Sequence, residues 1–304
     1  MRLLVNATSY GVPIGGAGLR ARYLCAALKG AWGIEPCFLL AEDTPEEVVP
    51  DGVESRRLPV LARSPLQRFL SLRLPGDGDA ILTDHYPVGP LPTFVTLHDR
   101  GGSVLRRAMI RRTLRRAAGV IAVSNTVRDA WGVPAHVVPN GVALPAGDLP
   151  PPRDHLLLCD PGLPHKDAAT AEAAAAEVGL PLRTVGRGVT WLRHDDLLRE
   201  LAAARVVLCP SREEGFGMVL LEAIALGRPV VASDIPAHRE VGGAIPVYFV
   251  PGNAAAFAAA VREALACDPA RLERGKERAQ RWTWDRAASL LAPLLLDCVR
   301  TRPR

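Results

Sequence analysis

Glu214 and Glu222 stand eight positions apart, on either side of Gly215-Phe216-Gly217, in the segment from Pro210 to Val231. An apolar run, VVLCP, leads into these glycines, and a helix-forming run follows them. Glycines at such a turn let a ligand approach the backbone, because no Cβ stands in the way. The free amides at the start of the helix, at Gly217, Met218 and Val219, point toward an anion, for which a phosphate or diphosphate is the natural guest. If the loop folds back, both carboxylates face one cleft and accept hydrogen bonds from sugar or ribose hydroxyls. The same residues also allow a reading without any ligand. Ser211-x-x-Glu214 is a capping-box pattern, and Glu222 alone is compatible with an ordinary helix surface.

Three further groups bear on chemistry. His98 ends the strand-like run FVTLHD, a place where an exposed His-Asp pair suits an active site, although a lone histidine is also a common structural residue. Gly15, Gly16 and Gly18 precede an amphipathic helix whose amides could meet a phosphate. Gly16-x-Gly18-x-x-Ala21, with Glu42-Asp43 after the next strand, also satisfies a dinucleotide fingerprint, so an NAD(P)-dependent oxidoreductase is the alternative from another enzyme class. Against it, the first strand ends near Thr8, which leaves too long a loop for the tight fingerprint turn. Finally, Arg106, Arg107, Arg111, Arg112, Arg115 and Arg116 repeat at spacings of four and five, giving either a solvated helix face or a basic surface for anionic lipid or a phosphorylated acceptor. Leu66, Phe69 and Leu70 would add an apolar foot. A basic protein that binds nucleic acid or membrane is thus a further alternative, although no aromatic residues interleave with these arginines, which argues against a stacking platform for single-stranded nucleic acid.

These residues need a scaffold, and its pattern is regular. Short β-branched runs (Arg2–Ala7, Cys37–Ala41, Ala80–Thr83, Phe94–Leu97, Val120–Val123, His136–Pro139, then Leu156–Cys159, Leu182–Val185, Val206–Cys209, Val230–Ser233 and Val247–Val250) read as strands. Helices are expected over Ala17–Leu28, Val104–Ala117, Lys166–Val178, Asp195–Ala203, Met218–Leu226, Ala254–Leu265 and Trp284–Val299. Such alternation predicts parallel sheets covered by helices on both faces, an α/β fold. The Pro-, Gly- and Asp-rich stretch 144–154 breaks the pattern and reads as a stiff linker. The expected organisation is a Rossmann-like domain over 1–143, a linker over 144–154, a second Rossmann-like domain over 155–283, and a helix over 284–304 returning to the first domain.

Composition narrows the class. With 48% hydrophobic and 23% charged residues in 304, the chain can bury a full core, and its charges interrupt every apolar run. The first residues lack the apolar stretch and cleavage site of a secretory signal, so a soluble cytoplasmic protein is expected, with the inner membrane face as the place for peripheral contact. The six scattered cysteines read as small core residues, without a disulfide or zinc framework.

The stretch EGFGMVLLEA resembles the E-x7-E signature of retaining glycosyltransferases of family 4, which have the GT-B fold of two facing doubly wound Rossmann-like domains. The likeness runs through VIAVSNTVRDAW, VPNGV, CPSREEGFG, EAIALGRPVVASDIPAHREVGG, YFVPGN and RWTWDRAA, covering nearly all of residues 93–290. It implies a nucleoside-diphosphate sugar as donor substrate, no further cofactor, and a hydroxyl acceptor, glycan or lipid-linked. A hexose is the expected sugar. By the same resemblance Glu214 lies near the donor sugar hydroxyls, Glu222 holds the ribose, and Gly15, Gly16, Gly215, Phe216, Gly217, Met218 and Val219 line the donor. Lys166, in PHKD, matches the basic residue on the diphosphate, a role that suits a compact ammonium. His98 matches the histidine near the reacting sugar, and Asp99 is a candidate acceptor contact. No Asp-x-Asp metal clamp and no metal site are expected. One departure stands out: where the family places an arginine on the diphosphate, this chain has Asp160, with His165 and Arg187 as candidate substitutes.

Overall fold

The computed structural model describes residues 1–10, 15–60, 72–84 and 89–301, so the expected apolar foot Leu66–Leu70 lies outside the described residues. The chain divides into two units, Met1–Gly141 with Trp284–Arg304, and Val142–Thr283.

The first unit is built on seven parallel strands: β1 (Arg2–Asn6), β2 (Glu35–Leu40), β3 (Glu54–Arg57), β4 (Ala80–Asp84), β5 (Thr93–Leu97), β6 (Gly119–Ala122) and β7 (His136–Val137), in the order β3-β2-β1-β4-β5-β6-β7. Strands β1, β2, β4 and β5 are almost wholly buried, which explains why they read as unbroken apolar runs rather than alternating ones. Strand β3, of sequence ESRR, carries no apolar signal. It is an edge strand held in register only by β2, and its arginines are tied to Asp77 and Glu46. Helix α1 (Gly16–Trp32) buries Leu24, Cys25 and Leu28, and stops at Gly33, whose left-handed backbone donates to the Leu28 carbonyl. Helices α2 (Val104–Leu114) and α3 (Asn125–Trp131) are capped by Ser103 and Ser124. The closing helix, Trp284–Arg300, packs on α1, with the Trp284 and Tyr23 rings stacked 5.7 Å apart.

The second unit has five parallel strands, β8 (Leu156–Cys159), β9 (Leu182–Val185), β10 (Val206–Cys209), β11 (Val230–Ser233) and β12 (Val247–Phe249), in the order β12-β11-β10-β8-β9. Helices α4 (Ala168–Val178), α5 (His194–Ala203), α6 (Met218–Ala225), α7 (Pro236–Gly242), α8 (Ala254–Leu265) and α9 (Pro269–Ala279) cover it. Alanines 171, 174 and 175 of α4 let that helix sit close to Leu156 and Leu158, while Phe257 of α8 stacks on Phe249 at 4.1 Å. The short helices α3 and α7 were not expected, because one or two turns give too few residues for a period to show, nor was α9, which buries only Gly275 and Ala279 and so carries little apolar signal. Residues 144–154 belong to this unit, where Arg199 donates to the carbonyls of Asp148 and Ala146 and Arg153 N to that of Ala203.

In each sheet the strand order reverses once, between β1 and β4 in the first unit and between β8 and β10 in the second. Crevices at the carboxyl ends of such strands are where doubly wound sheets bind ligands.

Candidate active site

In the second unit, Lys166 follows β8 and Glu214 follows β10, so they come from the two strands flanking the reversal. Lys166 closes a one-turn 3-10 helix, Pro164–Lys166, and Asp167 then takes a left-handed backbone, φ 48°. This turn, rather than the first turn of α4, carries the lysine, correcting the expected helix start. Its Nζ donates to Glu214 Oε1 at 2.6 Å, and Ser211 Oγ donates to the same oxygen at 2.8 Å. Ser211 therefore does not cap a helix. Helix α6 begins later, at Met218, with Gly217 in the N-cap position and no side-chain cap, so the capping-box reading falls away.

Burial alone would lower the Lys166 pKa, but the Glu214 carboxylate outweighs it and holds the ammonium above its ordinary value. Glu214 is likewise opposed by burial, and Lys166 brings its carboxyl below the ordinary glutamate value. Beneath them, burial pushes the Cys209 thiol up to about 12, with Lys166 pulling it down and Glu214 and Glu222 adding to the rise. Both glutamates thus act on the thiol at the end of β10.

Gly217 has φ 93°, a conformation that disfavours side chains, and a Cβ there would meet the His238 ring at 3.3 Å. His238 is buried, and burial lowers its pKa. Its Nδ1–H donates to the Ser233 carbonyl at 3.0 Å, while Ser233 Oγ donates to the Ser211 carbonyl. The glycine turn thus rests on a serine–histidine brace between β10, β11 and α7. Phe216 is buried edge-on against Trp282, 5.5 Å away, while Met218 and Val219 are partly exposed at the start of α6. Glu222, 1% exposed as a residue, is not a surface charge. Its Oε1 accepts from Nε2 of His194 at 2.9 Å.

Asp160 serves the backbone. It is left-handed, φ 55°, and its Oδ1 accepts from Arg187 N at 2.8 Å. Gly162 and Gly188 pack the loops after β8 and β9 backbone to backbone, where a Cβ on Gly162 would lie 2.8 Å from the Arg187 carbonyl. Arg187 is therefore held at this loop through its backbone, and His165 through its carbonyl, which accepts from Arg212 N.

In the first unit, Asp84 at the end of β4 binds two residues that follow the neighbouring strands β1 and β5. His98 Nε2 lies 2.7 Å from Oδ1, and the Tyr10 hydroxyl donates to Oδ2 at 2.6 Å. Burial first, and Asp84 second, hold the Tyr10 hydroxyl well above its ordinary pKa. Arg20 is buried and donates to the Pro139 carbonyl and Asn140 Oδ1, while burial brings its pKa down to about 10. Gly15 caps α1 and Gly16 begins it, ten positions after β1 ends at Asn6, a spacing too long for a dinucleotide turn.

Asp99 is engaged locally: Arg106 grips both its oxygens, and Gly101 N donates to Oδ1. Arg107 donates to the carbonyls of Arg100 and Ala130 and lies over the Trp131 ring, and Arg111 donates to the Trp131 carbonyl. The basic surface expected from six arginines is thus reduced: three are tied locally, while Arg112, Arg115 and Arg116 are exposed without an ion pair among the described residues. An Asp-x-Asp triplet does occur, contrary to expectation, at Asp77-Gly78-Asp79. Asp77 binds Arg56 of the edge strand β3 at 2.8 Å and Asp79 accepts from Arg2 N at the start of β1 at 2.6 Å, so both serve the sheet. Among the described residues no group of three His, Cys, Asp or Glu is placed to hold a metal, and no helix is long and apolar enough to cross a membrane.

Sequence reasoning missed Asp84, Tyr10, His194 and His238, and read Ser211 only as a cap. Asp84 alone had a local signal, a carboxylate at the end of a buried apolar strand. The others gain their partners only through folding.

Both units resemble known proteins. Residues 14–144 match the family described as Glycosyltransferase Family 4, and residues 165–267 match Glycosyl transferases group 1. A D-inositol 3-phosphate glycosyltransferase from Streptomyces bingchenggensis is 35% identical over 119 residues, covering 35% of this chain and 25% of the relative. The chain thus spans only about a quarter of that relative's length. Sucrose-phosphate synthase from Thermosynechococcus elongatus superposes with a TM-score of 0.79 at 19% identity, over 99% of this chain and 100% of that one. Anabaena HepE, solved with UDP and glucose, gives 0.72 at 18% identity, over 97% and 99%. The two family matches together take in most of both units, and the chain belongs to the group 1 glycosyltransferases of family 4, in the GT-B fold of two parallel-sheet α/β domains.

Proposed function

We propose that the chain transfers a hexose from a nucleoside-diphosphate sugar to a hydroxyl acceptor, with retention at the anomeric carbon and without a divalent metal. The observation that carries this reading is the Lys166–Glu214 pair across the strand reversal, followed by a helix start without a side-chain cap in the helix that holds the buried Glu222. Lys166 has three N–H donors, of which Glu214 takes one, leaving two for the diphosphate. As the bond to the sugar breaks, negative charge grows on the leaving diphosphate. Lys166 and the first amides of α6 are fixed in advance to meet that charge. Glu214 holds the lysine and offers its remaining lone pairs to sugar hydroxyls, and Glu222 takes the ribose. His98, held by Asp84, is assigned a hydrogen bond to a sugar hydroxyl. That HepE was solved with UDP and glucose supports a nucleotide donor of this class.

Thermal unfolding with UDP, GDP, ADP and their sugar conjugates, with and without EDTA, tests the reading. A ligand at a hundred times its Kd adds about 2.7 kcal/mol, easily seen as a rise in Tm. An EDTA-insensitive rise with one base, followed by proton NMR of the product anomer, is the expected outcome. No rise with any nucleotide would overturn the donor assignment.

A second contact, with an anionic membrane surface, is favoured by the exposed face of α2. Val104 and Leu105 are 86% and 72% exposed there, on the same helix as Arg112 and just before Arg115 and Arg116. Aliphatic side chains beside unpaired cations suit a headgroup boundary.

A further inference from the structure

Glu222 lies in a helix whose residues 220–225 are all buried, so its carboxylate is out of water and needs a fixed donor. His194 supplies one, through an Nε2–H that donates to Oε1 at 2.9 Å, with the two side chains 8% and 2% exposed. So little solvent reaches this hydrogen bond that water competes poorly for either partner.

The position of His194 is itself fixed. It is the first residue of α5, which is anchored by buried Leu198, Leu201 and Ala202. The chain entering α5 leaves the loop that Asp160 holds at Arg187 N and that Gly186 N closes onto the Thr190 carbonyl. The imidazole therefore reaches Glu222 from a packed element. Without such a partner, a glutamate carboxylate turns freely about its last torsion. With Oε1 held, its plane is set. Oε1 keeps a second lone pair, and Oε2 makes no hydrogen bond among the described residues, so both oxygens can accept from the two neighbouring hydroxyls of a cis-diol.

We propose that His194 is a positioning residue for nucleotide recognition: by fixing the plane of the Glu222 carboxylate, it sets the preference of the donor site for an intact ribose diol. The inference rests on the reading of Glu222 as the ribose-holding residue. It assigns His194 no contact with the reacting atoms. Its effect is preorganisation, since a carboxylate already oriented loses less freedom when the diol arrives.

The test is calorimetric titration of the full chain with each nucleoside diphosphate (UDP, GDP, ADP) and its 2′,3′-dideoxy form. The ratio of the two affinities measures diol recognition alone, whereas a general loosening of the fold weakens both forms together. The wild type is expected to prefer the ribose form by about tenfold or more, as hydrogen bonds to a charged group give. His194→Ala is expected to reduce that ratio at least threefold while leaving the dideoxy affinity unchanged. His194→Gln, which keeps an N–H donor at similar reach, is expected to restore it. His194→Met, of similar volume but without the donor, decides the matter should the alanine variant fail to fold. An unchanged ratio in the variants lacking a donor, with Glu222→Ala abolishing it, overturns the role of His194. Tighter binding of the ribose form in those variants also overturns it, because His194 would then be a competitor of the diol. If Glu222→Ala itself leaves the ratio at the wild-type value, the reading of Glu222 falls instead.

Discussion

Glu214 accepts a 2.6 Å hydrogen bond from Lys166, 48 positions earlier in the chain, and the two close the crevice between β8 and β10. Each side chain is 15% exposed, so neither is well solvated without the other. Glu214→Ala leaves a largely buried ammonium unpaired and is expected to destabilise the protein by about 3 kcal/mol. Lys166→Ala is expected to lower turnover of the nucleotide sugar by about a hundredfold or more, the scale for removing one preorganised charge-stabilising donor. Urea unfolding and steady-state kinetics measure the two effects. Unchanged turnover in Lys166→Ala would remove the lysine from the reaction.

The same pair gives stability a pH window. Glu214 has a folded pKa below its ordinary 4.5, so its contribution is complete above that value and is lost as pH falls through the folded one. Lys166 lies above its ordinary 10.5, so its contribution is complete below 10.5 and is lost as pH rises through the folded value. His238 acts separately. Burial lowers its pKa, so the unfolded chain binds that proton more readily and stability begins to fall as pH drops below 6.5. Urea unfolding from pH 8 to pH 3 should show two losses, one starting below 6.5 and one below 4.5. His238→Gln should reduce the first and Glu214→Gln the second, while His155, also lowered by burial, and Asp77 and Asp234, held low by Arg56 and Arg239, keep a remainder of each.

Much of this was legible before folding, for reasons that differ by residue. The buried strands LLLC and VVLC announce themselves because both faces are covered, and Gly215 and Gly217 announce a turn. Glu214 and Glu222 stand out because carboxylates flanking glycines at a helix start suggest a ligand. What was not legible is contact across the fold. Nothing local to His194 shows that it reaches Glu222 on another helix, and Ser211-x-x-Glu214 looks like a cap until Ser211 Oγ turns to the carboxylate. Strand β3 escaped because its partner β2, rather than its own charged sequence, makes it a strand.

The glycine turn offers a local test. Gly217 has φ 93° and faces the His238 ring, which the Ser233 carbonyl holds by its Nδ1. Gly217→Ala should cost about 1–2 kcal/mol from the left-handed backbone alone, and more if the ring cannot move. Because the turn also aims the first amides of α6, nucleoside diphosphate affinity should fall at the same time. Calorimetric titration together with urea unfolding separates the losses, and full affinity in a destabilised variant would show that these amides do not meet the ligand.

The exposed face of α2 predicts vesicle binding. Sedimentation with phosphatidylglycerol vesicles should recover the wild type at low salt and release it at high salt. Val104→Asp with Leu105→Asp, and separately Arg112→Glu with Arg115→Glu, should each reduce recovery at least fivefold. Both pairs lie outside the crevices, so thermal unfolding should be little changed. Equal recovery on neutral phosphatidylcholine vesicles would mean that the aliphatic pair binds without the arginines, and recovery unaffected by any of these changes would dismiss the surface.

Asp160 occupies the position where the family resemblance leads one to expect an arginine, and its geometry predicts what restoring that arginine would do. The aspartate is left-handed, and its Oδ1 caps the backbone of the loop after β9. Asparagine keeps an acceptor and tolerates that backbone, so Asp160→Asn should be nearly neutral. Asp160→Ala loses the acceptor and should cost about 1–2 kcal/mol. Asp160→Arg should carry the same cost without gain in diphosphate affinity, because a larger side chain meets Gly186, where even a Cβ would lie 2.4 Å from the present Asp160 oxygen. Nucleoside diphosphate titration of the three variants decides between a loop brace and a missing ligand. Tighter binding by Asp160→Arg would mean that the position still opens onto the diphosphate, and that the aspartate has weakened the donor site rather than braced its wall.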